Sequence, residues 1–210
     1  MPINSETNVD LSERRLRRYF TRGSFESGGR LFGGFWQELN KKQRKNIIID
    51  DEEAVSLDYS QMGPRILYGL CGKRPTSGDC YRIPGYDKYR NGIKKVFNAM
   101  TFAENPMTRF PKGVKQMFKE GTKYHEVSDA IQRYLSGITH KFNIGIGHYL
   151  QYLESQILIK VLLGLKDLGI HALPIHDAVV VGKAWVDMSR QLMEQVFLDM
   201  TNVESWVQVE

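Results

Sequence analysis

The stretch IIIDDEEAVSLDYS, residues 47–60, decides the fold. Ile47 to Ile49 are β-branched, an acidic turn follows, and Val55 to Tyr59 return, so the stretch reads as a β-hairpin. A second segment, IHALPIHDAVVVG at residues 170–182, repeats the plan with a strand, a tight turn at His176-Asp177 and a returning strand. Each brings one aspartate, Asp58 or Asp177, to a place where an apolar strand meets a turn. A carboxylate among β-branched residues is costly to bury unpaired, and a metal ion satisfies it well. Two of them on neighbouring strands make a hard, oxygen-rich site suited to magnesium. Taken singly, each aspartate is more readily a turn cap.

Outward from these hairpins the chain is mostly helical. Residues 61–70 follow Pro64, a good first-turn residue, into a helix, and residues 72–85 read as loop. Residues 86–104 form a helix rich in Arg and Lys, closed by Asn105-Pro106. On it Arg90, Lys94, Asn98 and Phe102 recur one turn apart and share a face. A cationic stripe ending in an amide and a ring suits a triphosphate with a base beyond it; a solvated basic face with Phe102 in the core is the plainer reading. Residues 112–136 read as one or two amphipathic helices. A long helix runs from Gly147 to about Leu168, with Leu150, Leu153, Ile157, Val161 and Leu165 on one stripe and Gly169 ending it. A last helix spans roughly Asp187 to Met200. Toward the N-terminus, residues 1–10 are polar and loose, residues 11–20 (LSERRLRRYF) read as a short basic helix capped by Ser12, and GSFESGGRLFGGFWQ at residues 23–37 is glycine-rich.

The 210 residues suit one domain, or one with a small insertion, and 41% hydrophobic with 25% charged is an ordinary globular balance. The net charge of +5 and a pI near 9.1 suit a polyanionic partner. Arg14, Arg15, Arg17, Arg18 and Arg22 crowd one end, and Lys41, Lys42, Arg44 and Lys45 form a second cluster; each is either a solvated face or a phosphate contact. Cys71 and Cys80 have no zinc spacing around them and read as reduced thiols. With no signal peptide and no membrane-length apolar run, the expectation is a soluble, cytoplasmic chain without a membrane partner, for which a viral or phage source also fits.

The residues also carry a resemblance. Asp58-Tyr59-Ser60-Gln61-Met62-Gly63-Pro64-Arg65 resembles motif A of the family A DNA polymerases, the bacterial DNA polymerase I class. Arg90-x-x-x-Lys94 with Phe102 resembles motif B, and Ile175-His176-Asp177 resembles motif C, in the expected order over about residues 29–183. The Gly28–Phe32 segment with Arg30 resembles, over a short match, the element that single-subunit phage RNA polymerases place ahead of their palm.

The resemblance implies an α+β, right-hand polymerase palm: an antiparallel sheet carrying Asp58 and Asp177, a small helical fingers subdomain at about 86–104, and no full thumb. The basic segment 1–28 would precede a palm over 29–210. It implies a template-directed nucleotidyltransferase that adds nucleotides to a 3′-hydroxyl by a two-metal mechanism. Asp58 and Asp177 would be catalytic and hold two Mg²⁺ ions, for which Mn²⁺ can substitute. Lys94 would act catalytically on the leaving group, and Arg90, Lys94, Asn98, Phe102, Gly63 and Tyr59 would surround the nucleotide. Arg30, His176, Arg14, Arg15, Arg17 and Arg18 would meet nucleic acid. The partners implied are a template, a primer or product strand, NTPs or dNTPs, and a protein subunit in place of the missing thumb.

Three positions depart from the family pattern. Gly63 stands where the DNA polymerases carry the Glu that crowds the ribose 2′-hydroxyl; single-subunit RNA polymerases resemble this chain in having Gly there. Ala178 follows the motif C aspartate, and Asn98 and Phe102 replace the motif B aromatic and Tyr. These departures favour an RNA polymerase or primase-like enzyme tolerant of or preferring ribonucleotides. The alternatives are a family A-like DNA polymerase, a metal-dependent nuclease or phosphohydrolase, and a non-catalytic nucleic-acid-binding module.

Overall fold

The computed structural model describes residues 9–209, so most of the segment 1–10 lies outside the described residues. In chain order the elements are β1 Arg17–Phe20, β2 Gly28–Phe32, α1 Phe35–Glu38, α2 Lys41–Arg44, β3 Ile48–Ile49, β4 Glu52–Ser60 and α3 Met62–Leu70. Then follow α4 Arg90–Phe102, α5 Tyr124–Tyr134, α6 Gly147–Asp167, β5 Ala172–Ile175, β6 Ala178–Gly182, α7 Val186–Thr201 and β7 Trp206–Val209.

Both hairpins read from the sequence are present, and they lie side by side. The main sheet is antiparallel in the order β3-β4-β6-β5, with β7 adding to β4. Asp50 and Asp51 both take positive φ, 53° and 63°, which suits the two-residue turn that carries Ile49 into pairing with Glu52. β4 is the spine: Ala54 to Asp58 pair with β6, and Leu57 to Ser60 pair with β7.

Alternation along the strands gives the sheet two apolar faces. Leu57, Tyr59, Val179 and Val181 face the main core, which α6 and α7 close with Ile157, Val161, Met193 and Phe197. Ile175 and Val180 face a smaller cluster built on Trp36 and Ile49. The indole of Trp36 donates to the Pro174 carbonyl at 2.9 Å, pinning the segment before β3 to β5. The main core continues into α4 and α5 through Ile93, Val96, Phe97, Met100, Val127 and Ile131.

Two expectations change, and a third holds at its lower count. The basic stretch 11–20 does not form a helix; its second half is β1, paired antiparallel with β2. The glycines explain why. A Cβ on Gly29 would meet the Arg18 side chain at 2.8 Å and the Phe20 ring at 3.0 Å, and one on Gly33 would meet the Arg15 carbonyl at 2.7 Å. The glycine-rich run is thus a place of close backbone approach, and β1 is what approaches. The helix expected over 86–104 is shorter, running Arg90–Phe102 after a 3₁₀ turn at Asp87–Tyr89. In 112–136 only α5 is α-helical, preceded by a 3₁₀ turn at Lys115–Met117, because Gly113 and Gly121 take φ of +73° and +84°. β7 was not expected at all. Among the described residues no helix is long and apolar enough to cross a membrane.

Candidate active site

Asp58 sits near the end of β4 directly opposite Ala178, the first residue of β6. Asp177 is the residue before Ala178, in the β5–β6 turn, so the ladder itself makes the two aspartates neighbours. Both are half-buried. Asp58 alternates with Leu57 and Tyr59, which face the main core, so its side chain leaves from the other face of the sheet. The turn is tight: His176 takes φ of +57°, leaving its ring exposed, in edge contact with Phe32 at 5.8 Å. The His-Asp pair therefore stands on a β-hairpin and not on a helix. After Asp58 the chain turns from strand to helix at Gln61, whose φ is +60°. The side chain of Gln61 accepts a bond from the Cys80 amide at 2.6 Å and so holds this unusual conformation in place.

The residue that organises the site was not among those singled out in the sequence. Glu154, on α6, accepts a 2.6 Å bond from Arg30 of β2 through Oε2. Its side chain is only 13% exposed. Burial pushes its carboxyl above the ordinary carboxylate range; Arg30 draws it back, Asp177 raises it again, and Lys94 draws it down. Asp177, Arg30 and Lys94 thus all act on one carboxylate, and Arg30 does so by direct contact. A lone Glu inside the apolar face of a long helix was the available signal: one turn from Leu150 and Ile157, a charged side chain needs a partner.

The stripe on α4 divides. Asn98 and Phe102 line a cavity of about 150 Å³ together with Gly63, Arg30, Gln151 and Glu154. Phe102 is not core; it is 37% exposed and packs edge-on against His148 at 5.1 Å. Lys94 is exposed and lies 6.0 Å over the Tyr81 ring. Arg90 is engaged elsewhere, bonded to Asp79 at 2.6 Å and lying over the same Tyr81 ring at 5.4 Å.

Two expected contacts are not made. Tyr59 is 4% exposed, and its hydroxyl donates to the Met193 carbonyl at 2.6 Å, so it anchors β4 to α7 and cannot reach a nucleotide. The strand period explains this, since the residue after a site aspartate must face the core. Arg18 donates to the Gly29 carbonyl at 3.0 Å and to Ser155 at 2.9 Å, and lies 4.6 Å over the Phe20 ring. It ties the N-terminal hairpin to α6. Arg14, Arg15 and Arg17 stay exposed.

Gly63 is also clarified. Its φ is not positive, so no left-handed turn requires a glycine there; that conformation falls on Gln61. A Cβ on Gly63 would lie 3.8 Å from the Phe97 ring and 4.0 Å from Glu154 Oε1, which is ordinary contact.

By sequence, no family model and no curated protein matches the chain. By structure it is similar to the POL domain of Pol1 from M. smegmatis, solved in complex with DNA primer-template and dNTP, at a TM-score of 0.51 and 14% identity. The match covers 89% of this chain and 45% of that one, so the chain spans less than half the length of its structural neighbour. The likeness is one of fold: a mixed architecture with an antiparallel sheet and several helices.

Proposed function

We propose that the protein is a nucleotidyltransferase of the template-directed kind, joining a nucleotide to a 3′-hydroxyl at Asp58 and Asp177. The observation that carries this reading is the ladder pair Asp58–Ala178, which makes neighbours of two half-buried carboxylates from distant parts of the chain.

The donor set suits magnesium. Among the described residues no group of three or more His, Cys, Asp or Glu side chains is placed to hold a metal. Magnesium is characteristically held by one or two carboxylates and completed by substrate phosphates and water, which is what two neighbouring aspartates offer. Asp58 and Asp177 would hold the ions. When bound, two ions lower the pKa of the attacking hydroxyl and stabilise the departing pyrophosphate.

The remaining work falls to side chains of this chain. Lys94, exposed on α4 and coupled to Glu154, faces the phosphates and gives a proton to the leaving group from Nζ. Asn98 and Phe102 take the sugar and base in the adjoining cavity. Arg90 acts at one remove, through its bond to Asp79. Arg30, bound to Glu154, closes the cavity toward the sheet, and His176 stands exposed beside Phe32, where a primer end would pass. Arg14, Arg15 and Arg17 supply contacts to strand phosphates. The open volume at Gly63 favours acceptance of ribonucleotides. A second subunit would complete the grip on the duplex.

The test is incorporation of radiolabelled rNTPs and dNTPs by the purified chain on primed DNA and RNA templates, with Mg²⁺ or Mn²⁺. Metal-dependent, template-matched extension is the expected result.

A further inference from the structure

Glu154 stands in the space that Gly63 leaves open. Oε2 is committed to Arg30 at 2.6 Å, which fixes the carboxylate, and Oε1 comes within 4.0 Å of where a Cβ on Gly63 would lie. The two residues line one cavity of about 150 Å³, large enough for a few waters or one edge of a sugar. We propose that Glu154 reads the sugar of the incoming nucleotide, its Oε1 accepting a hydrogen bond from the ribose 2′-hydroxyl. Sugar choice is then set from α6, across the space that Gly63 leaves open. This rests on the nucleotidyl-transfer reading above.

The chemistry favours attraction over exclusion. An ionised carboxylate is acceptor-only, and with Oε2 bonded to Arg30, Oε1 on the cavity wall is left to accept from a ligand. Burial disfavours the charge, raising the pKa against the pull of Arg30 and Lys94. A ribose hydroxyl supplies the donor that a deoxyribose lacks. Sites built to bond a hydroxyl reject the analogue without it far more strongly than apolar pockets reject an added hydroxyl.

The placement follows from α4. Lys94 acts on Glu154 from one end of the stripe, while Asn98 and Phe102 line the cavity that Glu154 enters. Lys94 and Asn98 are one helical turn apart, about 6 Å along the axis. A nucleotide with its phosphates at Lys94 and the two aspartates therefore brings its sugar to Gly63 and Glu154. Since Gly63 needs neither a left-handed backbone nor closer packing, the missing side chain there reads as room kept for this carboxylate and a hydroxyl.

The test is single-nucleotide primer extension by the full chain, comparing kcat/KM for a matched rNTP and dNTP in wild type, Glu154→Ala and Glu154→Gln. Thermal melts run alongside confirm that each variant is folded. Equilibrium binding of ATP and of dATP in Mg²⁺, to the same three proteins, gives a readout independent of turnover. The expected result is a fall of tenfold or more in the rNTP/dNTP ratio for Glu154→Ala, the rNTP value falling further than the dNTP value. Glu154→Gln, which keeps the volume and one acceptor, falls less. A smaller change in Glu154→Ala, or a shift toward ribonucleotides, overturns the proposal; the latter would make Glu154 an excluding group. If the wild type extends nothing, the binding ratio still decides. ATP preferred over dATP, and lost in Glu154→Ala, upholds the sugar contact while the transferase reading fails; no preference overturns both.

Discussion

Arg30 Nη2 lies 2.6 Å from Glu154 Oε2, and this bond joins the N-terminal hairpin to α6 across 124 residues of sequence. The side chains are 28% and 13% exposed, so the pair is neither on the surface nor sealed from water. Removing Arg30 leaves a buried carboxylate without its donor. Arg30→Ala should lower unfolding free energy by about 2–3 kcal/mol in urea titrations. Arg22→Ala provides the contrast: its bond to Glu104 joins two exposed side chains, and its loss should cost under about 1 kcal/mol.

The same carboxyl gives a pH signature. Its folded pKa is raised, chiefly by burial, from an ordinary 4.5. Between the unfolded and folded values the native state binds more protons than the unfolded chain. Stability contributed by this group is therefore full below the unfolded pKa and is lost as pH rises through the folded one. Glu154→Gln removes that dependence, so the variant should gain on wild type as pH is raised from about 4 toward neutrality. Chemical denaturation at several pH values measures the difference; a gap that stayed constant would mean that Glu154 titrates normally.

Gly63→Ala should fold at least as well as wild type. The residue is helical, its φ is not positive, and a Cβ there meets nothing closer than 3.8 Å. Replacing glycine by alanine inside a helix is favourable by roughly 0.5–1 kcal/mol. A drop in the melting temperature would show that glycine is required by the backbone.

The N-terminal arginines should separate into two kinds. Arg14, Arg15 and Arg17 are exposed, and neutralising them should weaken binding to single strands of any sequence and flatten its salt dependence. Arg18→Ala should instead destabilise the fold, because it bonds Gly29 and Ser155. Fluorescence anisotropy across a salt series, with a melt for each variant, distinguishes them.

These contrasts show what the sequence carried. The two hairpins were legible because β-branched residues flank a short polar turn in each, and α6 because its apolar stripe holds for about four turns. The site aspartates were legible as polar residues at the ends of apolar strands, and their adjacency follows once β4 pairs with β6. The β1–β2 pairing was not legible. LSERRLRRYF places Leu16 and Phe20 one turn apart, and the strand alternation from Arg17 to Phe20 is too short to compete with that helical spacing. Tyr59 and Arg18 were read as site residues from their neighbours in the chain, while their partners, Met193 and Ser155, lie far away in sequence. Glu154 was missed for the same reason: its meaning depends on Arg30 and Gly63, which only the fold brings to it.

The central claim is that Asp58 and Asp177 perform nucleotidyl transfer, and primer extension by Asp177→Asn tests it most directly. The substitution keeps the size of a turn side chain and removes its charge, so circular dichroism and melting should match wild type. The account predicts metal-dependent extension by the wild type and a loss of about 10³-fold or more in the variant, equivalent to roughly 4 kcal/mol of lost transition-state stabilisation. A folded Asp177→Asn protein that extends primers within tenfold of wild type, or a wild type that extends none on any template, would contradict it.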